Sequence, residues 1–298
     1  MPFELCVSAP AKLNIGLRVL RRGADGYHGI ESVFQTIPLC DTLSIRRAQT
    51  GIGRCVVECA SLALPPDNTI ARAHGAFCTL TGVQADVEVV LEKRIPAGAG
   101  LGGGSSDAAA MIRALDALFG TGLSPKDMAH VAGQAGSDVF FFLACAADGR
   151  GAAVVTGRGD QVSLIPARSD LWFVLVYPDV PSSTPAAYRL LDKDRSEALM
   201  RQPVGSGVSP GEIVDLAAAY FAPVADWSFV NDFTEPVTRV YPRIAQAIRD
   251  VEQTGALYTA MTGSGSGVFG VFCSRDDAKR AGLRLGGAWN RCWVLEAP

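Results

Sequence analysis

The chain has no Gly-Lys-Ser or Gly-Lys-Thr, which excludes a Walker-type phosphate loop. Its eight cysteines (Cys6, Cys40, Cys55, Cys59, Cys78, Cys145, Cys273 and Cys292) include no Cys-x-x-Cys pair, and three histidines leave little for a metal site. Such thiols are expected to be reduced and mostly buried, as in a cytosolic protein. Charged residues make up 19% of the chain and the net charge is −3, so no broad basic surface for nucleic acid is expected. No apolar run is long enough to span a bilayer. The first residues lack a basic segment followed by an apolar one, so no secretory signal is expected. No internal repeat is present. The expected partner is a small molecule, and the expected state a monomer or weak homodimer. Hydrophobic residues reach 48% of 298, enough for a sizeable core in one or two domains.

The most informative segment runs from Ile95 to Ala109, Ile-Pro-Ala-Gly-Ala-Gly-Leu-Gly-Gly-Gly-Ser-Ser-Asp-Ala-Ala. Before it, Asp86–Lys93 alternates as a strand. After it, Ala109, Ile112, Leu115 and Leu118 repeat at helical spacing. The glycines therefore occupy a strand-to-helix turn with a serine placed to cap the helix. Successive N–H groups there can form an anion-binding nest at the positive end of the helix. A flexible linker seldom sits in such a place. Gly98-x-Gly100-x-x-Gly103 also fits a dinucleotide fingerprint, but Pro96 separates strand from turn, and the strand alternates where a doubly wound one would be buried on both faces. No acidic residue ends a second strand about 20 residues on; Asp116 lies within the helix. A nest for ATP phosphates, with its lysine supplied from elsewhere, fits best.

Around it, Leu5–Ala9 starts a strand and Leu13–Leu20 continues in alternation. Ser32–Ile37 and Asp41–Arg46 read as two strands joined by a turn near Pro38. Thr69–Leu80 has helical spacing. Ser124-Pro125 opens a further helix with a serine cap and proline at its first position. Beyond a break near Pro166, Leu171–Tyr177 is a buried strand, Arg201–Gly211 a mobile loop and Asn231–Gln253 mostly helix. Tyr258–Thr262 and Val268–Cys273 are strands flanking Gly263–Gly267. Asp276–Leu285 is a helix and Cys292–Leu295 a last strand. Strands mixed with helices without strict alternation predict an α+β fold, divided into 1–165 and 166–298.

Taken singly, Lys12 reads as a solvated lysine, Asp138 as a cap or turn residue, and Tyr27-His28 after Asp25-Gly26 as an ordinary hairpin turn. Their order and spacing raise them together. Pro10-Ala-Lys12-Leu-Asn14, the turn at 96–107, Gly136-Ser-Asp138 and Thr262-Gly-Ser-Gly265 resemble the GHMP kinase superfamily of ATP-dependent small-molecule kinases. The likeness extends to Asp25-Gly-Tyr-His28, Ser32-Val-Phe-Gln35, Asn231-Asp232 and Met261-Thr-Gly-Ser-Gly265. These resemble the branch acting on a cytidine-diphosphate-linked methylerythritol in the non-mevalonate route to isoprenoids. Ser137 and Phe140 depart from that branch's usual alanine and proline and leave Asp138 in place.

The resemblance implies a two-domain fold, a ribosomal-protein-like ATP domain with a left-handed β-α-β unit followed by a ferredoxin-like domain. It implies Lys12 and Asp138 as the catalytic pair. Pro96, Gly98, Ala99, Gly100, Leu101, Gly102, Gly103, Gly104, Ser105 and Ser106 would surround the triphosphate, with Asn68 and Lys93 on the adenine side. Tyr27 and Tyr188 would sandwich the cytosine, His28 would read its edge, and Asn14 and Thr184 would reach the remaining polar groups. Phosphoryl transfer needs Mg²⁺. No carboxylate cluster marks its site, and Ser106 and Asp138 are the candidate ligands. The alternatives are a homoserine- or mevalonate-type kinase, a dinucleotide-dependent dehydrogenase and a non-catalytic nucleotide binder.

Overall fold

The alternating N-terminal segment forms two long strands in the computed structural model, β1 (Glu4–Arg22) and β2 (His28–Arg47), paired antiparallel over nearly their whole length. The structure describes residues 4–48, 53–201 and 215–298, so the loop expected at Arg201–Gly211 falls, beyond Arg201 itself, outside the described residues. The turn expected near Pro38 is not there. Cys40 faces Pro10 and Ile37 faces Ala11, so the ladder shifts register where both prolines sit. Proline has no N–H to donate, and a bulge is where a strand tolerates it.

A second shift falls between Ile15 and Leu17, where Gly16 has a φ of 71°. A one-residue slip turns side chains to the other face. Ala11, Leu13 and Ile15 accordingly join one core cluster, while Ala9, Leu17 and Val19 join the other. Lys12 and Asn14, between them in sequence, project away from Ala11, Leu13 and Ile15.

The remaining elements follow in order. β3 (Cys55–Glu58), α1 (Thr69–Thr81), β4 (Val87–Glu92), α2 (Gly103–Phe119), α3 (Pro125–Ala135), α4 (Asp138–Ala144), β5 (Ala152–Thr156) and β6 (Gln161–Ile165) complete the first half. β2 is the hub of this sheet. Its C-terminal half pairs with β4, which takes β3 in parallel, and its N-terminal half pairs with β5, then β6. The serine cap expected on α3 is present as a capping box, Ser124 with Asp127.

β7 (Trp172–Val176), α5 (Thr184–Arg201), α6 (Leu216–Phe221), α7 (Thr234–Val240), α8 (Pro242–Glu252), β8 (Tyr258–Met261), β9 (Val268–Phe272), α9 (Arg275–Gly286) and β10 (Cys292–Glu296) follow. Their antiparallel sheet has the order β10-β7-β9-β8, the ferredoxin-like arrangement. One face packs against α8 and α9. Phe173, Leu175, Phe269, Val271 and Leu295 share a cluster with Ala11, Leu13, Ile15, Val33 and Ile37. The β1–β2 ribbon thus lies against the second sheet and holds the two halves together. Of the cysteines only Cys145 is buried and Cys6 and Cys273 are exposed, against the expectation of mostly buried thiols; all eight are unpaired. Among the described residues no helix is long and apolar enough to cross a membrane.

A polar tie crosses the same contact. The hydroxyl of fully buried Tyr220 donates to Gln35 Oε1 at 2.5 Å and accepts from the Arg168 backbone N–H at 2.8 Å. Gln35 Nε2 donates to the Arg168 carbonyl at 2.9 Å. Burial pushes the Tyr220 hydroxyl up to about 12, so it stays a donor. Tyr220→Phe leaves a buried Gln35 oxygen without its partner, and the expected cost is about 1–3 kcal/mol in urea unfolding. An unchanged midpoint would count against this tie.

Candidate active site

The glycine turn after β4 carries positive φ at Gly98, Gly100 and Gly102, 70°, 76° and 71°. Gly102 is the N-cap of α2 and has no side chain to offer, so the expected serine cap is absent; Ser105 and Ser106 lie inside the helix. The first intrahelical bond runs from Ser106 N–H to the Gly102 carbonyl, 2.9 Å. The N–H groups before it have no intrahelical acceptor and no cap side chain. Gly102, Gly103, Gly104 and Ser105 line one cavity of about 890 Å³ that extends to Tyr27, His28 and Tyr188. Backbone donors at a helix's positive end suit an anion.

The glycines also let protein approach protein. A Cβ at Gly100 would sit 2.1 Å from the Thr262 carbonyl oxygen, and one at Gly103 2.9 Å from Ile95 Cγ2. The Gly263–Gly267 turn between β8 and β9 therefore lies directly on the glycine turn after β4. Gly267 N–H donates to the Ala99 carbonyl at 2.9 Å, and Thr262 Oγ1 donates to the Gly100 carbonyl at 3.3 Å. From behind, Asn231 Nδ2 donates to the Met261 and Gly263 carbonyls at 2.7 and 2.8 Å.

Lys12 enters from β1 at this junction. Only 3% exposed, it donates to the Gly100 carbonyl at 3.0 Å and to Asn14 Oδ1, and lies 4.8 Å from the centre of the Phe34 ring. Its Nζ is 3.5 Å from Asp138 Oδ2, at the start of α4. Burial lowers its pKa from the ordinary lysine value even though Asp138 pulls the other way. Asn14 is held too, its N–H on Thr262 Oγ1 at 3.0 Å and its Nδ2 on Ser32 Oγ at 3.1 Å.

The far end of the cavity is walled by α5, a mostly polar helix without the apolar stripe that would have announced it. His28 stacks directly on Tyr188, ring centres 5.3 Å apart. Both His28 nitrogens are engaged, Nδ1 with the Leu20 carbonyl at 2.8 Å and Nε2 with Asp192 at 3.0 Å. Tyr27 is 60% exposed, with the Arg158 guanidinium 4.1 Å from its ring centre. Thr184 Oγ1 meets Ser264 Oγ at 3.0 Å, which ties α5 to the β8–β9 turn. Asn68 lines the cavity beside the glycine turn while its Oδ1 caps α1.

The structure thus brings every lining residue named from the sequence to one cavity, except Ser106, which is buried under the turn with no hydrogen-bond partner for its hydroxyl among the described residues. Sequence reasoning passed over Asp41, Asp107, Thr262, Ser264 and Asp192 as site residues. The first four stand inside or beside the motifs quoted above, so the signal was present. Asp192 lies in a polar helix that gives none.

Asp41 and Asp107 are the notable omissions. Lys93 is not free in the cavity: its ammonium binds Asp41 and also Asp107, the latter at 2.9 Å. Asp41 Oδ1 accepts the Arg94 and Ile95 N–H groups at 2.6 and 2.8 Å, fixing the chain just before the glycine turn. Burial, with Asp41 adding and Lys93 opposing, pushes the Asp107 carboxyl up to about 7 from 3.8. A carboxyl whose folded pKa is raised binds more protons in the native state than in the unfolded one, so stability falls as pH rises from about 4 to about 7. In Asp107→Asn, the melting temperature is expected to fall less than in the parent between about pH 5 and about pH 8. Equal falls would show that Asp107 ionises as an ordinary carboxylate.

The N-terminal half matches the model of the GHMP kinases N terminal domain over residues 68–146, and the C-terminal half that of the GHMP kinases C terminal over 213–291. A 4-diphosphocytidyl-2-C-methyl-D-erythritol kinase of Treponema pallidum subsp. pallidum is 43% identical over 292 residues, 98% of this chain and 97% of that one. One from Moorella thermoacetica is 35% identical over 287 residues, 94% of each. A crystal structure of 4-(cytidine 5'-diphospho)-2C-methyl-D-erythritol kinase superposes with a TM-score of 0.75 at 30% identity, covering 98% of both chains. The homoserine kinase of Cytophaga hutchinsonii, at 19% identity and a TM-score of 0.64 over 99% of this chain and 95% of that one, shares the fold. With identities of 35–43% over nearly the whole of both chains, and both family domains matched, the chain belongs to the 4-diphosphocytidyl-2-C-methyl-D-erythritol kinase family of the GHMP kinases.

Proposed function

We propose that the chain transfers the γ-phosphoryl group of ATP to the 2-hydroxyl of 4-diphosphocytidyl-2-C-methyl-D-erythritol, a step of the non-mevalonate isoprenoid route. The observation that carries this reading is the position of the Lys12–Asp138 pair, 3.5 Å apart, in a single cavity with the glycine turn and the His28–Tyr188 ring pair. The phosphate donor lies on the open N–H groups of α2, with Asn68 and Lys93 toward its adenine. Lys12, held by Gly100 and Asn14, faces the charge that develops on the migrating group. Asp138 accepts the hydroxyl proton. Mg²⁺ is usually held by one or two protein oxygens plus substrate phosphates, so a cluster of three carboxylates is not needed. Ser106, with its unpartnered hydroxyl, and Asp138, 30% exposed, are the residues to hold it. When bound it neutralises charge on the β- and γ-phosphates.

At the other end the cytosine rests against Tyr188 and the exposed Tyr27, and Nε2 of His28 reads its edge by exchanging Asp192 for the base. Thr184 and Asn14 face the remaining polar groups of the acceptor. The division at 165/166 sets the phosphate turn in one domain and α5 in the other, with the acceptor between them. Eight unpaired thiols suit a reducing cytosol.

ADP release measured side by side with the cytidyl substrate, homoserine and mevalonate tests this reading. Turnover is expected with the first alone, and turnover confined to either of the others would overturn the substrate assignment. Asp138→Asn keeps the shape and removes the base, with an expected loss in kcat of about 10²–10⁴-fold. A variant retaining kcat within about threefold of the parent would remove Asp138 from this role.

A further inference from the structure

Four cations lining the cavity already face carboxylates: Lys12 faces Asp138, Arg22 faces Asp192, Lys93 faces Asp41 and Asp107, and Arg158 faces Asp25. Arg189 of α5 lines the same cavity, is exposed, and has no ion-pair or hydrogen-bond partner among the described residues. Asp192, one turn further along the helix, is no partner for it, being occupied by Arg22 at 2.7 Å and His28 at 3.0 Å.

We propose that Arg189 binds the diphosphate of the acceptor substrate and makes the site select a cytidine diphosphate group over a bare cytidine. The inference rests on the acceptor reading above and adds a specificity residue to it. A diphosphate leaving water needs a compensating charge. The nest at α2 serves the donor's phosphates, and the Arg22–Asp192 and Arg158–Asp25 pairs cancel internally at the acceptor end. Arg189 follows directly on Tyr188, about 100° further round the helix. Tyr188 and Asp138 line the same cavity, and burial, with the charge of Asp138 adding, raises the Tyr188 hydroxyl pKa. A ligand with its base on Tyr188 and its reacting hydroxyl at Asp138 carries its phosphates through the space between, within the cavity that Arg189 also lines. The planar guanidinium grips two phosphate oxygens at once, which an ammonium cannot do.

Calorimetric binding of cytidine, CMP and CDP to the full-length protein, with kinetics of the cytidyl substrate, tests the proposal. The parent is expected to bind CDP more tightly than cytidine. Arg189→Ala should cut that advantage about 10- to 100-fold, the usual range for hydrogen bonds to a charged group. It should raise KM for the cytidyl substrate in step while leaving KM for ATP and the melting temperature unchanged. Arg189→Lys, which keeps the charge without the fork, should recover part of the loss. An unchanged CDP-to-cytidine ratio in Arg189→Ala, or a loss confined to ATP, overturns the assignment of Arg189 alone. A parent protein that neither binds CDP nor phosphorylates the cytidyl substrate overturns the acceptor reading itself, and Arg189's role with it.

Discussion

The contact between two glycine turns, one after β4 and one between β8 and β9, is the constraint on which the site depends. Thr262 and Gly267 bond to the carbonyls of Gly100 and Ala99, and no Cβ fits between Gly100 and Thr262. The turn after β4 therefore has its shape set from two sides. Its own strand–helix junction supplies the positive φ angles, and the β8–β9 turn holds the Gly100 carbonyl that also accepts from Lys12. The chain reaches this contact because the β1–β2 ribbon packs on the second sheet, and the register shifts on either side of Ala11–Ile15 decide that Lys12 and Asn14 face the cavity.

Burial then decides the electrostatics. Lys12 and Lys93 both sit largely out of water, where an unpaired ammonium is costly. Lys12 is kept by one carboxylate, an amide and a carbonyl, and its pKa is drawn down. Lys93 is kept by two carboxylates, which more than offset burial and draw its pKa up. The pair of lysines thus divides the work: one remains weakly compensated beside Asp138, and the other is neutralised to hold the junction between β4 and the glycine turn.

Much of this was legible in the sequence where chemistry needs an unusual residue at a fixed spacing. The glycine turn, Lys12, Asp138 and the Asp25–His28 segment stood out because few structural needs call for them together. The α+β class followed from strands mixed with helices, with strand patterns at Leu171, Tyr258 and Val268 among them, while the ferredoxin-like second sheet came from the family resemblance. The continuity of β2 through Pro38 was hidden, since a bulge shared with Pro10 on another strand is a tertiary fact. α5 was hidden because its polar residues serve the cavity rather than a core. Asp41 and Asp107 were visible as letters, yet their pairing through Lys93 joins residues 14 and 52 positions apart, which no local pattern encodes.

Among the described residues the second half of the chain lines the cavity through the Gly263–Gly265 turn, the start and one face of α5, and Phe233. The Thr184–Ser264 hydroxyl contact, with the neighbouring Ser182 Oγ on the Ser264 carbonyl at 2.9 Å, is where the turn and α5 meet. Substitutions along the exposed face of α5 can accordingly accumulate over generations without disturbing the glycine turn. A lineage built this way can reshape the α5 end of the cavity while the end at the glycine turn stays constant, and a protein engineer has the same freedom on one helix.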